Sequence, residues 1–154
     1  MSDKPEDRLR ELGITLPAPA APVASYVPSV EAAGLLFISG QLPLDAAGKL
    51  TAGKLGRDLD IEAGKAAARL SAINILTQAK SALGGLDRIR RVARVTGFIN
   101  GTGDFADPHQ VLNGASDLLV DVLGDRGRHS RTVLVAASLP MNAATLIDAI
   151  IEVS

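Results

Sequence analysis

The final ten core residues, Ala144 to Val153 (ATLIDAIIEV), impose the strictest condition on the fold. Side chains alternate along a strand, so Thr145, Ile147, Ala149, Ile151 and Val153 share one face. Leu146, Asp148, Ile150 and Glu152 share the other. Helices of the same chain can cover one of these faces. The second carries Leu146 and Ile150, and in water it would be a large apolar patch. The mean hydropathy, +0.22, is high for a small monomer and points the same way. The segment therefore predicts a sheet buried on both sides, the second by oligomerisation, sheet against sheet.

The chain of 154 residues has the length of one ordinary domain. Residues 5–13 predict a short helix, with Pro5 and acids at its start and Gly13 as a stop. Residues 14–24 hold three prolines and predict an extended linker over the surface. Together 1–23 is expected as an N-terminal helix and Pro-rich extension, and 24–154 as the folded domain. Tyr26–Glu31 and Leu35–Ser39 are predicted strands around an Ala33-Gly34 turn. Residues 45–60 predict turns with at most one short strand.

Ile61–Leu83 predicts a helix capped by Asp60 and stopped by Gly84-Gly85, with residues 63, 66, 67, 70, 73, 76, 79 and 83 as its apolar face. Leu86–Asn100 predicts a long strand. A second helix is expected from Pro108 to about Leu123, with Asp107 as N-cap. Ser130–Ser138 and Ala144–Val153 complete the strands. The sum is ββ(β)αβαββ, an α+β fold with two helices on one face of a single sheet.

Composition removes whole classes of chemistry. Without cysteine there is no disulfide, thiolate metal site or cysteine nucleophile. Two histidines, His109 and His129, are too few for a multi-histidine metal centre. A net charge of −1 and an aromatic content of 3% argue against a nucleic-acid surface. No phosphate-cradling loop or nucleophile elbow is present. The charged start lacks an apolar signal region, and no apolar run reaches a membrane span, so a cytoplasmic protein is expected.

Arg131 stands out among the charged residues. It opens the apolar run Thr132–Ala137, where a long cation has no evident structural purpose. A guanidinium there suits a carboxylate gripped by two parallel hydrogen bonds, or an interface salt bridge. His129, two residues earlier, would point the same way in an extended segment. His109, in the first helical turn, reads as a surface residue. Arginines 88, 90, 91 and 94 read as a solvated strand edge rather than an RNA strip.

The order and spacing of Tyr26, Leu36-Phe37-Ile38-Ser39-Gly40-Gln41-Leu42-Pro43, Phe98-Ile99, Asp104-Phe105-Ala106, Asn113, Arg131, Leu139-Pro140 and Ile147-Asp148-Ala149 resemble the RidA/YjgF family of reactive-intermediate deaminases. The likeness covers residues 24–153, and the N-terminal extension resembles the family's longer bacterial branch, also labelled endoribonuclease L-PSP-like. It implies a chorismate-mutase-like mixed sheet with two helices on one face, assembled as a homotrimer with pockets between subunits. It also implies cofactor-free hydrolysis of enamines and imines, such as 2-aminoacrylate, to 2-keto acids and ammonia.

By the same likeness Arg131 holds the substrate carboxylate, and Tyr26, Ser39, Gly40 and Asn113 line the pocket. The partner is then a small carboxylate-bearing metabolite, with no cofactor or metal. One departure stands out. The family's water-positioning glutamate corresponds to Leu146, which can neither orient water nor take a proton. Asp148 and His129 are the available substitutes, and Val133 stands where some members have cysteine. Three readings follow: a deaminase with altered water activation, a carboxylate-binding trimer without catalysis, and a ribonuclease or translation inhibitor.

Overall fold

A computed structural model describes residues 2–22 and 24–154. In chain order the elements are α1 (Pro5–Glu11), β1 (Ser29–Ala32), β2 (Leu35–Gln41), α2 (Ile61–Leu83), β3 (Ile89–Asn100), α3 (Pro108–Leu123), β4 (Ser130–Ala136) and β5 (Thr145–Val153). The strands form one five-stranded sheet in the order β1-β2-β5-β3-β4. All neighbours are antiparallel except β3 and β4. Parallel strands need a long crossover, and α3 supplies it. Residues 45–60 contain only isolated bridges, including Leu55 to Gly101, and no regular strand.

Local chemistry explains the helix ends. Asp60 accepts a hydrogen bond from the Ala63 amide at 2.8 Å, and Gly84 takes the left-handed conformation at φ 75° that ends α2. Asp107 does not cap α3, contrary to expectation. Its φ of −116° and ψ of 36° turn the carboxylate away from the first-turn amides, and it accepts instead from the Gln110 side chain. Proline at the first position still favours that helix start.

The α2 face is a second correction. Of the expected face Ala67, Leu76, Ala79 and Leu83 are buried, but Gly64, Ala68, Ser71, Ala72 and Ile75 are buried where Ala63, Ala66, Leu70 and Ile73 were expected. The cause is two-sided cover: α2 packs on the sheet and on α3. Small and polar residues can therefore lie in its buried stripe. Ser71, fully buried, satisfies its hydroxyl against Thr145 at 2.9 Å. At position 114 α3 runs close against α2. A Cβ there would lie 2.1 Å from the Lys65 carbonyl oxygen, so only glycine fits.

Thr145, Ile147, Ala149, Ile151 and Val153 are all buried on the helix-covered face. The core also includes Leu9 of α1. Glu6 accepts from the Leu86 amide and Arg8 donates to the Asp121 carbonyl, which fastens α1 to the body. The expected boundary between residues 23 and 24 falls at Val23, outside the described residues.

The opposite sheet face is open in the single chain. Val30, Phe37 and Leu134 are 50%, 41% and 55% exposed, far above what aliphatic and aromatic side chains show in a finished core. Phe37 pairs with Ile150 and Val30 with Phe37, so these residues form one continuous surface with the outer side of β5.

Candidate functional site

Arg131 is placed by the β3–α3–β4 crossover. It pairs with Val95, which is wholly buried under the helices, so its side chain leaves β4 on the helix side. There the guanidinium donates from Nη1 to Ser116 Oγ at 3.0 Å and from Nη2 to the His109 carbonyl at 3.2 Å. Among the described residues no carboxylate pairs with it. An interface salt bridge, the alternative read from the sequence, would draw its acid from a second copy of the chain. His109, Asn113 and Ser116 fall at i, i+4 and i+7, on one stripe of α3. Asn113 thus shares the side of the molecule that meets Arg131.

His129 joins the same cluster. Its Nδ1 lies 2.6 Å from the Gly127 carbonyl and its Nε2 lies 2.9 Å from Ser116 Oγ. A carbonyl only accepts, so Nδ1 carries the proton and Nε2 accepts from the serine hydroxyl. Burial pulls this imidazole below its ordinary pKa; the Gly127 carbonyl raises it, and the Arg131 charge lowers it. His109 itself is exposed and contributes only its carbonyl to the cluster.

A different cavity, about 260 Å³, opens at the β2 side of the sheet. Tyr26, Ser39 and Gly40 line it together with Gln41, Met141 and residues 20–22 of the Pro-rich segment. Ser39 Oγ donates to the Val27 carbonyl at 2.8 Å, which fixes its rotamer. A Cβ at position 40 would come within 2.8 Å of Leu146 Cδ1. The leucine side chain thus fills the space against the Gly40 backbone.

These two groups do not meet inside one chain. Ile38 pairs with Ala149, Ala149 with Val95, and Val95 with Arg131, so the row from β2 to Arg131 crosses three inter-strand gaps. That is roughly 14 Å at ordinary strand spacing. The residues named from the sequence therefore fall into two separate groups, Tyr26, Ser39 and Gly40 in one and Asn113 and Arg131 in the other.

Ser116 is the residue sequence reasoning missed. A lone helical serine has no motif to mark it, although its spacing of three from Asn113 was available as a signal. Asp148 lies on the open face, where burial raises its pKa; Thr96, its partner on β3, and Arg94 pull it back down. The expected solvated edge holds for the start of β3 only: Arg90 and Arg91 are exposed ahead of the first β4 partner, Arg94. Arg88 pairs with Glu31 at 2.6 Å, and Arg94 donates to Thr132.

Known proteins resemble this chain in sequence and fold. The chain is 43% identical over 147 residues to Protein TCP17 of Trypanosoma cruzi, covering 95% of this chain and 92% of that protein. A crystal structure of a protein of unknown function from Agrobacterium tumefaciens is 47% identical, with a TM-score of 0.91 and coverage of 99% and 95%. RidA from an Antarctic Psychrobacter is 28% identical, with a TM-score of 0.61 and coverage of 90% and 96%. The model of the family described as "YjgF/chorismate_mutase-like, putative endoribonuclease" matches residues 6–153, nearly the whole sequence. The chain belongs to the YjgF/chorismate-mutase-like family.

Proposed function

We propose that this protein hydrolyses reactive enamines and imines of the 2-aminoacrylate type to 2-keto acids and ammonia, with Arg131 holding the substrate carboxylate. The observation that carries this reading is the half-buried guanidinium on the helix side of β4, oriented by neutral partners and matched by no acid among the described residues. A partly desolvated cation held in one orientation favours an anion of complementary shape. An enamine first tautomerises to the imine, its methylene carbon gaining the proton that the nitrogen loses. Water then adds to the C=N carbon, the water protons pass to the nitrogen, and ammonia leaves as the carbonyl forms.

The other group of residues comes from a second copy of the chain. The open apolar face supplies the surface for assembly, and a homotrimer places Tyr26, Ser39 and Gly40 of one copy against Asn113 and Arg131 of the next. A second reading, a carboxylate-binding protein without turnover, is favoured by Leu146. Its aliphatic side chain fills the space beside Gly40 where the family resemblance places a water-positioning acid.

Imino acids generated in situ by an amino-acid oxidase provide the test. Keto-acid release should accelerate with wild type and return to the no-enzyme rate with Arg131→Ala. Loss of a desolvated charge partner costs on the order of 2–5 kcal/mol. Arg131-dependent binding of a keto acid with background turnover would select the binding reading. Turnover unaffected by Arg131→Ala would refute both.

A further inference from the structure

The Ser116–His129 pair has no part in the family resemblance, yet it touches the residue on which the proposed function rests. The structure assigns Ser116 as a second, proton-linked donor to the ligand carboxylate, with His129 as the positioning residue that turns its hydroxyl. This inference rests on the carboxylate reading of Arg131 and adds two residues to it.

Hydrogen-bond bookkeeping carries the assignment. A hydroxyl has one proton to give and two lone pairs to fill. In the neutral site the Ser116 proton goes to His129 Nε2 at 2.9 Å, and one lone pair accepts from Arg131 Nη1 at 3.0 Å. The Gly127 carbonyl fixes the imidazole proton on Nδ1, so Nε2 has no proton of its own. When His129 takes up one proton from solvent, Nε2 becomes a donor. Ser116 then accepts from both Arg131 and His129, and its own proton is released toward whatever Arg131 holds. The adjacent anion gains a hydrogen bond and a second nearby cation.

The charges around His129 set the sign. From β4 the facing charge is Arg131, and through Ser130 the neighbouring β3 residue is Ala93. From α3 it meets Ser116, with Asp117 exposed beyond it. The turn at 124–127 offers the Gly127 carbonyl, and its Asp125 pairs with Arg128 at 3.5 Å in solvent. Arg131 thus opposes protonation of His129 in the free protein. An anion on Arg131 offsets that repulsion, so ligand and proton bind cooperatively.

Calorimetric titration of the full-length protein with pyruvate tests this, in two buffers of different ionisation enthalpy, from about pH 8 to about pH 5.5. Wild type should bind more tightly as pH falls and should take up protons on binding. Ser116→Ala should weaken binding at the acid end by roughly tenfold, and Ser116→Thr should restore it. His129→Gln should bind with no proton uptake. Arg131-dependent binding whose pH dependence survives both Ser116→Ala and His129→Gln would overturn the assignment and leave the proposed function standing. Absence of Arg131-dependent binding would overturn both. Nitrogen NMR of the His129 ring in wild type gives an answer that needs no variant. Pyruvate should raise its pKa, and an unchanged value would refute the inference.

Discussion

Leu146 packs against the backbone of Gly40, the residue that follows Ser39 along β2. Cδ1 of the leucine would lie 2.8 Å from a Cβ at position 40. Gly40→Ala should therefore displace the tip of the leucine and cost about 1 kcal/mol, measured by urea unfolding. Pairing it with Leu146→Ala should recover part of that loss in a double-mutant cycle.

Leu146→Glu tests the chemistry of the same contact. If hydrolysis in this protein is limited by weak water activation, a carboxylate there should raise keto-acid release on the order of a hundredfold. Some stability should be lost, since a half-buried aliphatic contact is exchanged for a charge. Unchanged turnover in a folded variant would argue that water is activated elsewhere.

The helix–helix seam gives a prediction independent of function. A Cβ on Gly114 would meet the Lys65 backbone, which cannot move aside as a side chain can. Gly114→Ala should destabilise by about 2–3 kcal/mol or more and lower the melting temperature accordingly. Gly103→Ala, with nothing within 4 Å of its would-be Cβ, should be close to neutral.

Asp148 makes stability depend on pH with a definite sign. Burial raises its carboxyl above the usual range, so between the two pKa values the folded protein binds more protons than the unfolded one. Stability contributed by this group is complete below the ordinary carboxylate pKa and declines as pH rises through the elevated one. Asp148→Asn should therefore raise the melting temperature at neutral pH. Below about pH 4 the advantage should vanish.

Phe37 and Leu134 report on assembly. A trimer would run at about 48 kDa, three chains of 15.9 kDa. Phe37→Glu combined with Leu134→Lys should shift light scattering toward the single-chain mass, since both side chains stand on the open sheet face. Wild type that scatters as one chain would remove the shared pocket.

The fold was legible wherever a local rule acted alone. Asp60 and Gly84 mark the ends of α2, and alternation along β5 separates its buried face from its open one. Only half of the α2 stripe was legible, because Ser71 and Gly64 are buried through contacts distant in sequence. A periodicity of apolar residues cannot register a hydroxyl satisfied by Thr145. Strand pairing was equally hidden: nothing in Ser130–Ala136 announces a parallel neighbour. Arg131 was visible as a cation in an apolar run, but Ser116 was not. Its significance comes from lying across the crossover from β4.

The crossover itself has a genetic consequence. Everything on the Arg131 side is delivered by one run of chain through β3, α3 and β4, while Tyr26, Ser39 and Gly40 come from the opening strands. In an assembly that closes its pockets between copies, each pocket draws on two gene products. An allele damaged at Arg131 and another damaged at Gly40 would then complement when co-expressed, because mixed particles contain some pockets built only from intact halves. Neither allele alone could do so.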